Sequence, residues 1–287
     1  MDFHKFVEDI EKNNWEVYGV EVYENSVLTH SYGDTCDHIH ELYSATKSVL
    51  SVAFGMAYDR GLVDVHKSVL DYLPTDVTER MAKKQRDTFG RLSLHRLLTM
   101  SVAGFPFRPE GDNWLDFCLS CRIDNPDEPV FDYSNINSFL IGVVLTQALG
   151  TDLGEFIKKE IFGPLGIADY EMQYSPEGYF YGSSGMKLSV HDLSKFGLLM
   201  SNGGVHGGIR IISEEYVSMA TSVQQMNREG GYGYFFWKYR DGFSINGKWK
   251  QKCYCLPAKN IIVTHLAHIE NDSQELLESM EKNILGD

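Results

Sequence analysis

The sequence predicts an α+β fold: one antiparallel β-sheet flanked by helices, with an inserted all-helical subdomain. Three observations predict it. Strand-like runs joined by short turns lie near both ends of the chain. The middle third is helical with loops. Two of its neighbouring segments are apolar on nearly every side, which marks buried helices rather than amphipathic surface ones. The chain has 287 residues, 43% of them hydrophobic, enough for a substantial core. It reads as a single domain over residues 1–287, with an α/β part at about 1–65 and 190–287 and a helical part at about 66–189.

The elements follow in order. Phe3, Phe6, Val7 and Ile10 recur at helical spacing over residues 2–13, and Asn13-Asn14 ends that helix. Residues 15–23 and 27–32 read as strands around Glu24-Asn25, a hairpin. Residues 41–59 form a helix apolar on almost every side, closed by Gly61. Residues 92–100 are a short amphipathic helix. Residues 105–130 carry four prolines and read as irregular. A second apolar helix covers 136–149 and ends at Gly150. Another covers 153–162 and stops at Gly163-Pro164, and a further one covers 190–201. Residues 232–239, 242–247, 250–256 and 261–267 then read as strands, and 273–285 as a closing helix.

The formal charge is −14. Phosphate binding needs a basic surface, so the balance argues against a nucleic-acid partner and, more weakly, against anionic lipid. The N-terminus has no basic region followed by an apolar run, so it is no signal peptide. No stretch reaches the roughly 18 apolar residues needed to span a bilayer. The expectation is a cytoplasmic protein with a small-molecule substrate, no membrane association and an oligomeric state left open. Five cysteines, an odd number, do not suggest a disulfide framework. Cys118 and Cys121, together with Cys253 and Cys255, contain enough ligands for a zinc site. The second pair, however, sits two apart in a strand pattern and shares one face, which core cysteines explain equally.

The chemistry is carried by Ser44-Ala45-Thr46-Lys47. On a helix, residues three apart lie on one face, so the lysine can reach the serine hydroxyl. Burial disfavours the ammonium form, and a neutral Lys47 can take the serine proton. Two further S-x-x-K runs, at Ser184 and Ser279, make the pattern worthless by itself. Ser44 stands apart because it alone opens a long buried helix, where a lysine is costly without a task. Tyr133-Ser134-Asn135 precedes the second apolar helix. Its tyrosine, beside a cationic lysine, is expected to have a lowered pKa and to relay protons, although Asn135 also reads as a helix cap. A Ser-His-Asp triad is disfavoured, because no serine sits in a G-x-S-x-G elbow.

With these residues in place, the chain resembles the serine β-lactamase-related family of class C β-lactamases, D-Ala-D-Ala carboxypeptidases and family VIII-type esterases, which share a β-lactamase/transpeptidase-like fold. The segment Glu41-Leu42-Tyr43-Ser44-Ala45-Thr46-Lys47-Ser48 is similar to the nucleophile motif. Residues 92–100 resemble its L-L-T-H helix, Phe131-Asp132-Tyr133-Ser134-Asn135 its tyrosine motif, and Ile161-Phe162-Gly163-Pro164-Leu165-Gly166 its P-L-G signature. Residues 185–196 resemble its D-L-x-x-F-G stretch.

The resemblance implies Ser44 as acylated nucleophile, Lys47 as its proton partner, Tyr133 as general base or relay, and Asn135 as holder of Lys47 and substrate. It implies no metal and no organic cofactor. The third family motif, normally K-T-G or H-x-G, corresponds to Ile245-Asn246-Gly247, so the cation is replaced by isoleucine. Gly247 is expected to let the backbone approach the substrate. The N–H groups of Ser44 and Lys248 are expected to form the oxyanion hole. Trp114 and Trp249 are candidates to border the acyl pocket. The implied function is a serine hydrolase acting through an acyl-enzyme on a small ester or amide. The alternatives are a β-lactamase or D-Ala-D-Ala carboxypeptidase, and a member of the fold that binds ligand without hydrolysing it.

Overall fold

The computed structural model describes residues 1–271 and 273–286. Strands β1 (Val17–Glu24) and β2 (Val27–Gly33) form the N-terminal hairpin. Asn25 and Ser26 both take left-handed φ values, 52° and 65°, the turn geometry that matches the twist of a two-residue hairpin. Strands β3 (Trp237–Tyr239), β4 (Gly242–Gly247), β5 (Gln251–Leu256) and β6 (Ile261–Ala267) follow near the other end of the chain. All six join one sheet in the order β2-β1-β6-β5-β4-β3, every neighbouring pair antiparallel. Residues 66–186 add no strand to it.

Side chains alternate between the two faces of this sheet. On one face, Val20, Val22, Tyr254 and Val263 pack with Phe6 and Ile10 of helix α1 (Phe3–Lys12) and with Leu276 and Met280 near the C-terminus. On the other, Ile245, Cys253, Cys255 and Ile262 join the main core, which contains helices α2 (Thr46–Asp59) and α3 (Asn135–Leu149). Every residue from Thr46 to Ala57 is buried, as is every one from Asn135 to Leu145, in keeping with helices apolar all round. Helix α4 (Val190–Ser201) lies over β5 and β6.

Several sequence expectations change. The helix foreseen over 41–59 is split: His40–Glu41 pairs as a short strand with Lys187–Leu188, Tyr43–Ala45 forms a 3₁₀ turn, and α2 starts at Thr46. The pairing, and the Leu42 N–H bond to the Met186 carbonyl, hold the chain out of helical geometry there. The region 105–130 contains a helix, Trp114–Ser120, capped by the Asn113 side chain. The stop at Gly163-Pro164 falls later. A π turn at Lys158–Phe162 passes into a last turn, Gly163–Leu165, where proline's missing N–H costs nothing, and Gly166 ends it at φ 64°. The strand foreseen over 232–239 shrinks to its last three residues, because Phe235 is left-handed at φ 66°.

Cys118, Cys121, Cys253 and Cys255 are buried core residues, and Cys36 is exposed. Cys253 and Cys255 lie side by side on the inner sheet face, their sulfurs 3.7 Å apart. Among the described residues, the one trio of His, Cys, Asp or Glu that converges is Glu21, Cys36 and His191, so the two cysteine pairs do not share a site. No single helix among the described residues is long and apolar enough to cross a membrane.

Helix α4 approaches the sheet at Gly197. A Cβ there would lie 2.5 Å from the Cys253 sulfur and 3.2 Å from that of Cys255. Gly197→Ala should therefore cost about 1–3 kcal/mol through overpacking. Adding Cys253→Ala should recover part of that loss by removing the obstructing sulfur. Urea melts of both variants check this, and a double mutant no more stable than Gly197→Ala would contradict the packing account.

Candidate active site

The site is assembled where three segments meet. Ser44 sits in the 3₁₀ turn, and Lys47 follows in the first turn of α2. Lys47 Nζ lies 3.2 Å from Ser44 Oγ. It also donates to Asn135 Oδ1 at 2.7 Å and to the Ser183 carbonyl at 2.7 Å. Asn135 is the first residue of α3. The helix cap is its neighbour Ser134, whose Oγ accepts from the Ile136 N–H, so the Asn135 side chain is released to reach Lys47. Its other end donates to the Tyr181 hydroxyl at 3.0 Å. Ser183 is fixed in turn: its Oγ donates to the Asn135 carbonyl at 2.8 Å and lies 2.7 Å from Ser138 Oγ.

Lys47 is only 1% exposed. Burial pushes its pKa well below the usual 10.5 of a lysine, since desolvation penalises the ammonium. A neutral amine has two N–H bonds and one lone pair. Asn135 Oδ1 and the Ser183 carbonyl are acceptors only, and together they take both N–H bonds. The lone pair faces the third neighbour, Ser44 Oγ, whose one proton is within reach of this nitrogen and of the Tyr133 oxygen.

Tyr133 completes the cluster, its ring centroid 5.1 Å from Lys47 Nζ. The ring stacks on Trp237 at 5.7 Å and meets Tyr232 edge-on. Its pKa is not lowered as the sequence suggested. Burial raises it well above that of free tyrosine, and the Ser44 hydroxyl offsets this only in part. Burial weakens the charge of Lys47 as well, and it holds Tyr133 as a phenol.

The third motif divides between the two sheet faces. Ile245 is fully buried in the core opposite Cys253, not in the cleft. Asn246 points to the other face, where its amide nitrogen donates to Ser244 Oγ at 3.0 Å and its oxygen accepts from Lys252 Nζ at 3.3 Å. Gly247 has extended backbone, and a Cβ on it would lie 2.1 Å from the Leu42 carbonyl. It thus lies close against the chain two residues before Ser44. Lys248 is exposed, its ammonium 4.3 Å from the Trp249 ring, and Trp249 meets Tyr43 edge-on at 5.0 Å.

On the Asn135 side lies an open cavity of about 530 Å³, lined by Phe107, Arg108, Trp114, Gln173 and Tyr181 among others. Trp114 stands edge-on to Tyr181 at 4.9 Å. Ser183, Tyr181, Trp237 and Arg108 were not foreseen from sequence. Ser183 acts through its carbonyl, which no side-chain pattern encodes, and the others come from segments distant along the chain. The rival S-x-x-K runs are accounted for: Lys187 pairs with Glu171 at 2.8 Å, and Ser279 donates to Asp9 at 2.7 Å.

Comparisons with known proteins agree with this architecture. A 6-aminohexanoate-dimer hydrolase from Paenarthrobacter ureafaciens is 22% identical over 235 residues, 72% of this chain. The chain spans 58% of that relative's length. A Bacillus anthracis structure provisionally named a 6-aminohexanoate-dimer hydrolase superposes with a TM-score of 0.79 at 17% identity, covering 97% of this chain and 80% of that one. A penicillin-binding-protein homologue from Caulobacter crescentus gives a TM-score of 0.76 at 14% identity, covering 98% and 97%. At these identities the superpositions establish the fold alone. The family model described as beta-lactamase matches residues 18–279, nearly the whole chain. The protein therefore belongs to the beta-lactamase family of hydrolase-fold proteins.

Proposed function

We propose that the protein is a serine hydrolase that works through an acyl-enzyme on a small ester or amide. The observation that carries this reading is the hydrogen count at Lys47: both N–H bonds of a neutral amine are engaged and the lone pair is left for Ser44 Oγ, 3.2 Å away. As Ser44 Oγ attacks a carbonyl carbon, its proton passes to Lys47 Nζ, and the carbonyl oxygen becomes an oxyanion. The N–H groups of Ser44 and Lys248 receive that charge. On collapse, the bond to the leaving group breaks, and the leaving atom takes a proton from the Lys47 ammonium by way of the Tyr133 hydroxyl. Water then repeats the sequence on the acyl-enzyme and returns the proton to Ser44. The raised pKa of Tyr133 suits it to pass a proton on and not to act as a standing phenolate.

The substrate class follows from the walls. The cavity beside Asn135 offers the aromatic rings of Phe107 and Trp114 and one guanidinium, Arg108. The strand cation that reads the carboxylate of penicillins in related sequences is replaced by Ile245, buried in the core. This favours an acyl group with an apolar chain over a β-lactam. The name of the Paenarthrobacter relative points the same way, since an aminohexanoate dimer is an aliphatic chain joined through an amide.

Intact-mass measurement with a fluorophosphonate should give a single adduct that is lost in Ser44→Ala, together with all turnover of a p-nitrophenyl alkanoate. Penicillin G should leave no lasting adduct. A fluorophosphonate adduct retained in Ser44→Ala would overturn the assignment of the nucleophile. A stable penicilloyl adduct would favour the penicillin-binding reading.

Lys47 supplies a second prediction with a defined sign. Its folded pKa is depressed, so the unfolded chain holds the proton between that pKa and 10.5 while the folded chain does not. Stability gained from this site rises with pH across that window, by up to about 1.4 kcal/mol per unit. Lys47→Met should lose turnover by about 10²–10⁴-fold. Its stability relative to the parent should be most favourable on the acid side of the window, with the advantage shrinking towards pH 10. Chemical melts at three pH values check this, and a pH-independent difference would mean that Lys47 is charged in the fold. Activity should likewise fall as pH drops through the depressed pKa, because the protonated amine has no lone pair.

A further inference from the structure

A second cavity, about 420 Å³ in volume, lies under the β4–β5 turn. It is built on the sheet face that carries α1 and the C-terminal helix, the face turned away from α2. Most of that face is apolar: Val20, Val22, Val263 and Leu256 are all buried there. At the cavity, three strands present instead a polar row. Asn246 of β4, Lys252 of β5 and His265 of β6 are direct cross-strand partners and so lie side by side.

This row is poorly satisfied from within the protein. His265 is 1% exposed, and among the described residues its ring nitrogens meet only a weakly aligned Lys250 backbone carbonyl, with no hydrogen bond of good geometry at either nitrogen. Buried polar groups are otherwise almost always paired. Lys252 has three N–H bonds to place when charged, and Asn246 Oδ1, at 3.3 Å, takes one. Ser244 adds a buried hydroxyl beside them.

The charge is also unusual. Among the described residues, Lys238, Lys248, Lys250 and Lys252 line the cavity, with Glu229 and Glu270 as its acids. Glu270 is already paired with His268 at 3.2 Å. The cavity is thus locally basic in a chain of net charge −14. Lys250 and Lys248 reach it from a turn whose residues Trp249 and Lys250 hold left-handed φ values of 57° and 69°. Burial and the charge of Lys250 bring the Lys252 pKa down to about 8, and the Glu229 carboxylate offsets this only in part. Burial keeps His265 neutral, with one N–H to donate and one nitrogen to accept.

We propose that this cavity is a binding site for a small, doubly charged oxyanion, held by Lys252 and its neighbouring lysines with His265 as a neutral hydrogen-bond partner. The chemistry fits a phosphate or phosphomonoester and a short dicarboxylate alike: each brings several acceptor oxygens to a group of ammonium donors. The cavity shares the turn at residues 248–250 with the proposed oxyanion hole but is not lined by Ser44, Lys47, Tyr133 or Asn135. Nothing in its assignment depends on Ser44 acting as a nucleophile.

The test uses the whole protein. Inorganic phosphate and succinate are titrated separately at constant ionic strength, with chloride as the control anion. Binding is read by calorimetry and by the ring ¹⁵N and ¹H shifts of His265. Saturable binding of at least one dianion, with movement of the His265 signals and no response to chloride, is the expected result. Which dianion binds distinguishes the phosphate source from the carboxylate source. Lys252→Met should weaken it by about tenfold or more, as expected for loss of a charge-assisted bond. If that variant does not fold, Lys250→Ala serves in its place, because its side chain is only half-buried. A lack of saturable binding by either dianion would overturn the proposal. So would binding that leaves His265 unmoved, or binding that the lysine substitutions do not weaken.

Discussion

An amine withdrawn from water organises this protein. Lys47 lies in a helix buried on all sides, and removing an ammonium from water costs several kcal/mol unless the proton is given up. Depressing the pKa is the cheaper outcome, and its consequences extend through the structure. The neutral amine still needs acceptors for two N–H bonds, at roughly 1 kcal/mol of net benefit each and more if left unmade. Asn135 and the Ser183 carbonyl meet that need, so the start of α3 and the 181–183 segment must be brought against the start of α2. The burial of α2 and α3 is thus more than core formation, since it creates the dielectric in which a lysine can be basic at neutral pH.

The same arrangement places the serine outside the helix. Ser44 occupies a turn held by contacts distant in sequence: His40–Glu41 against Lys187–Leu188, Leu42 against Met186, and Gly247 against the Leu42 carbonyl. Tyr43 takes a left-handed φ of 48°, a conformation with an energetic cost for a residue with a side chain. These contacts come from three parts of the chain and over-determine the turn. Position and basicity are therefore set separately, the first by backbone pairing around residues 40–44 and the second by the burial of Lys47.

Much of this was legible in the sequence where the signal was local and repetitive. The hairpin, β4, β6, α4 and the two all-apolar helices have unmistakable periodicity, and Ser44, Lys47 and Asn135 were singled out by their place at the heads of those helices. What could not be read is non-local. The break before Thr46 depends on pairing with residues 187–188, which are more than a hundred positions away. The Tyr133 pKa depends on burial, first of all, in a packing that includes Trp237, not on the Y-x-N pattern. The helix Trp114–Ser120 was hidden by the flanking prolines, although Asn113 was there to cap it. The glycine at 247 signals close approach, but that the Leu42 carbonyl fills the space is set by the tertiary fold, which a sequence does not give.

The alternation of β4 explains why the lost strand cation has not simply been replaced by the lysines that follow it. Ile245 and Gly247 share the inner face, and Ser244 and Asn246 the outer one. Lys252 pairs with Asn246 and so also lies on the outer face. A lysine moved by one residue along this hairpin therefore serves a different compartment, since a shift of one reverses the face. Lys248 and Lys250 project from the turn into the outer cavity with it. The cation available to the inner side is Arg108, which lines the cavity beside Asn135 and comes from a loop between helices, not from the sheet. Positive side chains are thus divided across the β4–β5 hairpin: Arg108 on the side of the buried amine, and a group of lysines on the far side of the strand that carries Ile245.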